Sequence, residues 1–172
     1  MLNIVLYCPE IPQNTGNIIR TCVGFNAHLH LIRPYGFIFD INSSDLKRSG
    51  VNYLDKSHIT EYDSWDDFKK IVTNKDKIYF LTRYGINKPN SSNMKDDGNN
   101  IYIVFGKEST GIDKNILKDN VENTLRIPTS KDVRSLNVAN CVSILAYEFA
   151  KQNDFKGLEA SEPHKPLFGT KI

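Results

Sequence analysis

The chain has 172 residues, of which 40% are hydrophobic and 24% charged, which is ordinary globular usage and excludes wholesale disorder. A chain of this length forms one domain around one core and buries roughly 70% of its unfolded surface, so it needs no disulfide or metal staple. Its 22 basic and 20 acidic residues leave a net charge of +2, spread evenly along the chain, and no basic arm of the kind that marks many nucleic-acid binders is visible.

Asn3–Tyr7 (NIVLY) reads as a buried strand, followed by a short helix over Asn14–Phe25 opened by Thr15 and Gly16. His28–Ile32 (HLHLI) alternates and predicts a second strand. Ser44–Ser49 predicts one or two helical turns closed by Gly50. Ser64 and Asp67 stand at capping-box spacing and open a helix running to Val72. Lys77–Leu81 (KIYFL) is the next strand, and the Asn-, Ser-, Asp- and Lys-rich stretch 87–100 reads as an exposed loop. Ile101–Phe105 (IYIVF) is a fully apolar strand running into Gly106-Lys107-Glu108. A helix near Asp113–Lys118 and a short strand at Thr124–Ile127, stopped by Pro128, lead to the clearest helix, Asn137–Gln152. Its apolar residues extend beyond one stripe, which predicts burial on several sides, including against a second subunit. Residues 153–172 read as a loosely held tail after a single domain over 1–152.

Strand–helix alternation over the whole length predicts an α/β fold with a mostly parallel sheet flanked by helices. Ligands of such folds sit beyond the carboxyl ends of the strands, which selects the loops after Leu81, Phe105 and Ile127. No apolar run is long enough to span a bilayer, and MLNIVLYCPEIP lacks the basic region and cleavage site of a signal peptide, so a soluble, cytoplasmic protein is expected. Cys8, Cys22 and Cys141 match no metal or redox spacing and read as buried small residues in a reducing compartment. There is no dinucleotide fingerprint, P-loop, zincin motif or nucleophile elbow, and no metal is expected.

Three clusters remain. PEIPQNTGNIIRTC (9–22) joins the first strand to the first helix, with Asn14 and Gly16 at the helix start and Arg20 one turn inside; the alternative is a well-capped helix with a solvent-facing arginine. IYIVFGKESTGI (101–112) ends a buried strand in Gly106, where a flat ligand could approach the main chain, with Glu108 at the rim and Gly111 permitting a second turn. LRIPTSKDVRSLNVANCVSI (125–144) leads through Arg134, Ser135, Leu136 and Asn137 into the last helix; read alone, Ser135 is that helix's N-cap.

In their order and spacing, NTGNIIR, FGKESTGI and IP-(x)5-RSLNVAN resemble the motifs of the SPOUT-class RNA 2′-O-methyltransferases, most closely the branch that methylates the wobble nucleotide (cytidine/uridine-34) of tRNA. The resemblance covers residues 1 to about 152 and departs where relatives often carry Pro and Arg and this chain has Lys107 and Thr110. It implies a C-terminal trefoil knot, a homodimer through helix 137–152, and S-adenosylmethionine held by Leu81, Gly106, Ile127, Ser135 and Leu136. It further implies Arg20 and Asn137 as catalytic residues and Asn14, Arg20 and Arg134 as tRNA contacts, with leucine tRNAs as substrates. A guanidinium is a poor general base, so a phosphate clamp is as physical a role for Arg20 as activation of the ribose hydroxyl. Methylation of another tRNA or ribosomal RNA position, or a non-catalytic RNA-binding or assembly role, is the alternative.

Overall fold

Every apolar run expected to be a strand becomes one. The computed structural model describes residues 1–40 and 58–162, and the helix expected at Ser44–Ser49 lies outside them. The described strands are β1 (Leu2–Tyr7), β2 (His28–Ile32), β3 (His58–Tyr62), β4 (Lys77–Leu81), β5 (Ile101–Phe105) and β6 (Thr124–Leu125). They form one sheet in the order β3-β2-β1-β5-β4-β6, with every pairing parallel. β3 was not legible in the sequence. HITEY is an edge strand with His58 and Glu61 exposed, so it lacks the apolar run that marks an interior strand.

The helices are α1 (Pro12–Gly24), α2 (Trp65–Lys69), α3 (Lys114–Lys118) and α4 (Val138–Gln152). α1 starts two residues earlier than expected because Pro12, with its fixed φ and missing N–H, suits the first helical turn. Ser64 caps α2 as its spacing predicted, accepting from the Asp67 N–H at 3.1 Å, although the helix stops at Lys69. Asp113 caps α3 by accepting from Asn115 N–H at 2.7 Å.

The pleat sorts side chains onto two faces. Leu2, Ile4 and Leu6 of β1 face Ile18, Ile19 and Cys22 of α1 and Val142, Leu145 and Ala146 of α4. Val5, Ile32, Phe80, Tyr102 and Val104 face the other way, onto Phe68 of α2. The stretch 87–100 is less exposed than its composition predicted. Met94 is fully buried in the α1/α4 face, and its N–H is held by Gln152 Oε1 at 2.9 Å.

α4 buries one face in this chain but leaves Ile144 40% and Tyr147 53% exposed. Beyond it, Asn153 Nδ2 donates to Met94 O at 3.0 Å, and Asn26 Nδ2 to Gly157 O at 3.0 Å.

β6 is bonded along both of its edges. Thr82 N–H donates to Leu125 O at 2.9 Å, Asn87 N–H to Thr124 O at 3.1 Å, and Arg126 N–H to Asn87 O at 2.8 Å. β6 therefore has the end of β4 on one side and the returning chain at Asn87 on the other. Gly85 makes this possible: a Cβ there would lie 2.2 Å from the Leu125 carbonyl carbon.

Candidate active site

The strand order reverses between β1 and β5, and the loops leaving their carboxyl ends lie side by side, where open α/β sheets place ligands. These two loops clasp each other. The Glu108 carboxylate accepts from Glu10 N–H at 2.9 Å, Ile11 N–H at 3.3 Å and Asn14 Nδ2 at 2.9 Å. In return Glu10 accepts from the Ser109 N–H and hydroxyl, both at 2.8 Å, and the hydroxyl and N–H together hold its carboxyl below the usual carboxylate range. Glu108 also places negative charge at the start of α1, where the helix dipole favours it.

The third cluster joins through Asn137. Its Oδ1 caps α4, accepting from Ala139 N–H at 2.8 Å and Asn140 N–H at 3.4 Å, while its Nδ2 donates to Asn14 Oδ1 at 3.0 Å. Asn137, and not Ser135, is thus the N-cap. The run Asn137–Asn14–Glu108 ties all three sequence clusters into one hydrogen-bonded chain, with Asn14 buried at its centre.

Beside this chain, at the carboxyl ends of β4 and β6, lies a cavity of about 50 Å³. Leu81 lines it from the end of β4, and Thr82 and Arg83 from the loop that follows. Arg126, Ile127 and Thr129 line it from the segment after β6, Arg134, Ser135 and Leu136 from the approach to α4, and Cys141 from α4 itself. Burial pushes the Cys141 thiol up to about 11, so it stays protonated near neutrality and acts as an apolar wall. The lining combines aliphatic side chains that can pack on a flat heterocycle with hydroxyls that can hydrogen-bond a ribose.

Of the residues the resemblance selected, Leu81, Ile127, Arg134, Ser135 and Leu136 meet at this cavity. Gly106 is not among its lining residues. A Cβ at Gly106 would lie 2.2 Å from the Gly111 carbonyl carbon, so the close approach is by the chain's own loop. That loop turns through Gly111 at φ 79°, with Gly111 N–H donating to Lys107 O at 2.8 Å. Arg20 sits with Gln13 and Asn17 on the exposed side of α1 and is not part of the cavity wall. Sequence reasoning did not single out Glu10, Arg83, Arg126 or Cys141. Arg83 does lie in the loop after Leu81 that the strand-end rule selects, whereas the Glu10–Ser109 clasp leaves no local sequence signal.

Residues 1–147 match the model of the SpoU rRNA Methylase family. The chain belongs to that family. A Mycoplasma genitalium member provisionally named a tRNA (cytidine(34)-2′-O)-methyltransferase is 43% identical over 160 residues, covering 92% of this chain and 95% of its own. A Bacillus subtilis member with the same provisional name is 39% identical, covering 92% and 97%. Among solved structures, an RNA methyltransferase of provisional assignment from Bacillus anthracis superposes with a TM-score of 0.84 at 42% identity, covering 92% of this chain and 98% of that one. A structure concerned with the 2-OH methylation of C/U34 on tRNA gives 0.81 at 36%, covering 88% and 95%. The family's methylase fold therefore accounts for the sheet and for the placement of the three clusters. Among the described residues, no helix is long and apolar enough to cross a membrane, and no group of side chains could hold a metal ion.

Proposed function

We propose that this family member transfers a methyl group from S-adenosylmethionine to the ribose 2′-hydroxyl of the wobble nucleotide of tRNA, a cytidine or modified uridine at position 34 of leucine isoacceptors. The observation that carries this reading is the Asn137–Asn14–Glu108 chain, which holds all three motifs beside an aliphatic, arginine-rimmed cavity. Full-length similarity to relatives named for this reaction supports the substrate.

S-adenosylmethionine, when bound, would supply an activated sulfonium methyl group. Leu81, Ile127 and Leu136 would hold its adenosine by apolar contact, and the Ser135 hydroxyl would help orient it. Gly106 stands outside the cavity lining and serves the site indirectly, its missing Cβ letting the Gly111–Ile112 backbone close over the end of β5. Asn137, its amide committed to the α4 cap and to Asn14, fixes the loop that presents Ser135 and Leu136. Arg20 and Arg134 hold the phosphates flanking the target ribose, whereas Asn14, expected to contact tRNA, is buried with its amide bonded to Asn137 and Glu108 and positions the motifs instead. Holding the two reactants in line accounts for up to roughly 7–11 kcal/mol of barrier lowering, so positioning is the main contribution asked of the protein.

The bonding of Thr124–Arg126 to Thr82 and to Asn87 supports the trefoil knot expected of such a site. The exposed Ile144 and Tyr147 on α4, with Phe155 packed 5.5 Å from the Tyr147 ring, support a homodimer through this helix. Residues 1–152 are the single catalytic domain of a cytoplasmic enzyme, and 153–172 its tail.

Transfer of labelled methyl to unmodified leucine tRNA, followed by nucleoside digestion and mapping, tests the proposal. Label in the 2′-O-methylated wobble nucleoside is the expected result. Label elsewhere reassigns the target, and cofactor binding without transfer leaves an RNA-binding role.

A further inference from the structure

The linear sequence shows no basic stripe, yet the fold gathers Arg83, Arg126 and Arg134 around one cavity. Among the described residues, none of the three forms an ion pair, and Asp132, two residues from Arg134, makes none with it. Three guanidinium groups lining one cavity with no carboxylate paired to them present positive charge that an anionic ligand would neutralise.

Arg83 also carries an aromatic neighbour. Its guanidinium carbon lies 4.5 Å from the centroid of the Tyr84 ring and its Nη2 donates to the Tyr84 hydroxyl, while Arg126 donates to the Arg83 carbonyl. The Tyr84 ring is nevertheless left 64% exposed, where a large aromatic gains nothing from burial in the core. The loop beneath is held rigidly. Thr82 and Asn87 bond β6 on either side, and Gly85 rests against the Leu125–Arg126 backbone too closely for any side chain. A stacked cation–aromatic pair on a fixed loop, beside two further arginines, has the chemistry that receives single-stranded RNA. Unpaired bases stack on aromatic and guanidinium planes, and arginine forks hold the adjoining phosphates.

We infer that Arg83, Tyr84 and Arg126 form, with Arg134, an RNA-contacting rim of the cavity. Tyr84 stacks on a base next to the target nucleotide, and the arginines take the phosphates on either side of it. This rests on the proposed tRNA substrate and deepens it by naming residues that read the single-stranded loop.

The test is the affinity of a labelled anticodon stem-loop RNA across a salt series, for the wild type and for Arg83→Ala, Tyr84→Ala and Tyr84→Phe. S-adenosylhomocysteine affinity is measured by calorimetry on the same proteins. Tyr84→Ala should weaken RNA binding by about fivefold to a hundredfold, and Tyr84→Phe should restore it. Arg83→Ala should lower the slope of log affinity against log salt by about 0.7–0.9. Affinity for S-adenosylhomocysteine should be unchanged throughout. Wild-type RNA binding that all three variants retain, with the same slope, overturns the rim while leaving the substrate assignment standing. An equal loss of cofactor affinity overturns it too, by assigning the arginines to the cofactor carboxylate. Wild-type protein that binds no stem-loop overturns both the rim and the substrate assignment.

Discussion

Asn137 Nδ2 donates to Asn14 Oδ1 at 3.0 Å, joining the N-cap of the last helix to the first turn of the first. One side chain thereby satisfies the start of α4 and fixes the loop before it against α1. Asn137→Ala should cost about 1–3 kcal/mol, combining a lost cap with an orphaned buried acceptor. Asn137→Ser, which caps but does not reach Asn14, should recover about half of that. Urea denaturation distinguishes them, and an alanine variant as stable as the wild type would remove this bond from the account of the site.

Arg20 stands on the exposed side of α1, outside the cavity wall. Arg20→Ala should therefore abolish methyl transfer while cofactor affinity stays at the wild-type value. Single-turnover transfer and calorimetry give the two readings. Parallel loss of both makes Arg20 a structural residue and ends its assignment to the substrate side.

Gly85 and Gly106 each face backbone at 2.2 Å from where a Cβ would stand. Backbone atoms cannot swing aside as a side chain can. Alanine at either position should lower stability by at least about 1–3 kcal/mol. Gly24→Ala, with nothing within 4 Å, is the control that separates crowding from loss of glycine itself. Thermal denaturation showing all three variants alike would contradict the crowding.

His30 is buried between Asn3 Oδ1 and the Tyr62 hydroxyl, its ring 4.4 Å from that of His28. Burial first, then the neighbouring His28, push it down to about 3. An unfolded imidazole takes its proton near pH 6.5, so between about 3 and 6.5 the unfolded chain binds more protons and stability falls as pH falls. The loss should reach about 1.4 kcal/mol per pH unit below pH 6, and it should shrink in His30→Gln. Urea midpoints between pH 7 and 5 make the comparison, and the carboxylates, which begin to take protons in the unfolded chain nearer pH 4, contribute equally to both proteins. Equal slopes for both proteins would show that His30 is protonated in the native state.

Tyr147 and Ile144 lie one turn apart on the exposed side of α4. The proposed dimer should sediment at twice the mass of one chain, and Tyr147→Arg with Ile144→Asp should halve that mass and leave the far-ultraviolet circular dichroism unchanged. A dimer that survives both changes places the interface elsewhere.

Much of the fold was legible because its determinants are local. NIVLY, HLHLI, KIYFL and IYIVF are apolar runs of strand length and became interior strands, while Val138–Gln152 carries helical periodicity through four turns. Capping chemistry acts over three residues, so Ser64 with Asp67 could be read directly. The three clusters were visible as motifs, and their order along the chain carried the family resemblance. Tertiary structure decided what depends on pairs distant in sequence. β3 forms along the edge that β2 offers, although HITEY lacks the apolar run that marks an interior strand. Asn137 and not Ser135 caps α4 because its amide also reaches Asn14. Glu10 and Ser109, or Arg83, Arg126 and Arg134, meet only once a parallel sheet sets their strands in register at one edge. Local propensity fixes which segments become strands and helices, and the long-range hydrogen bonds and close backbone packing that the topology allows build the site.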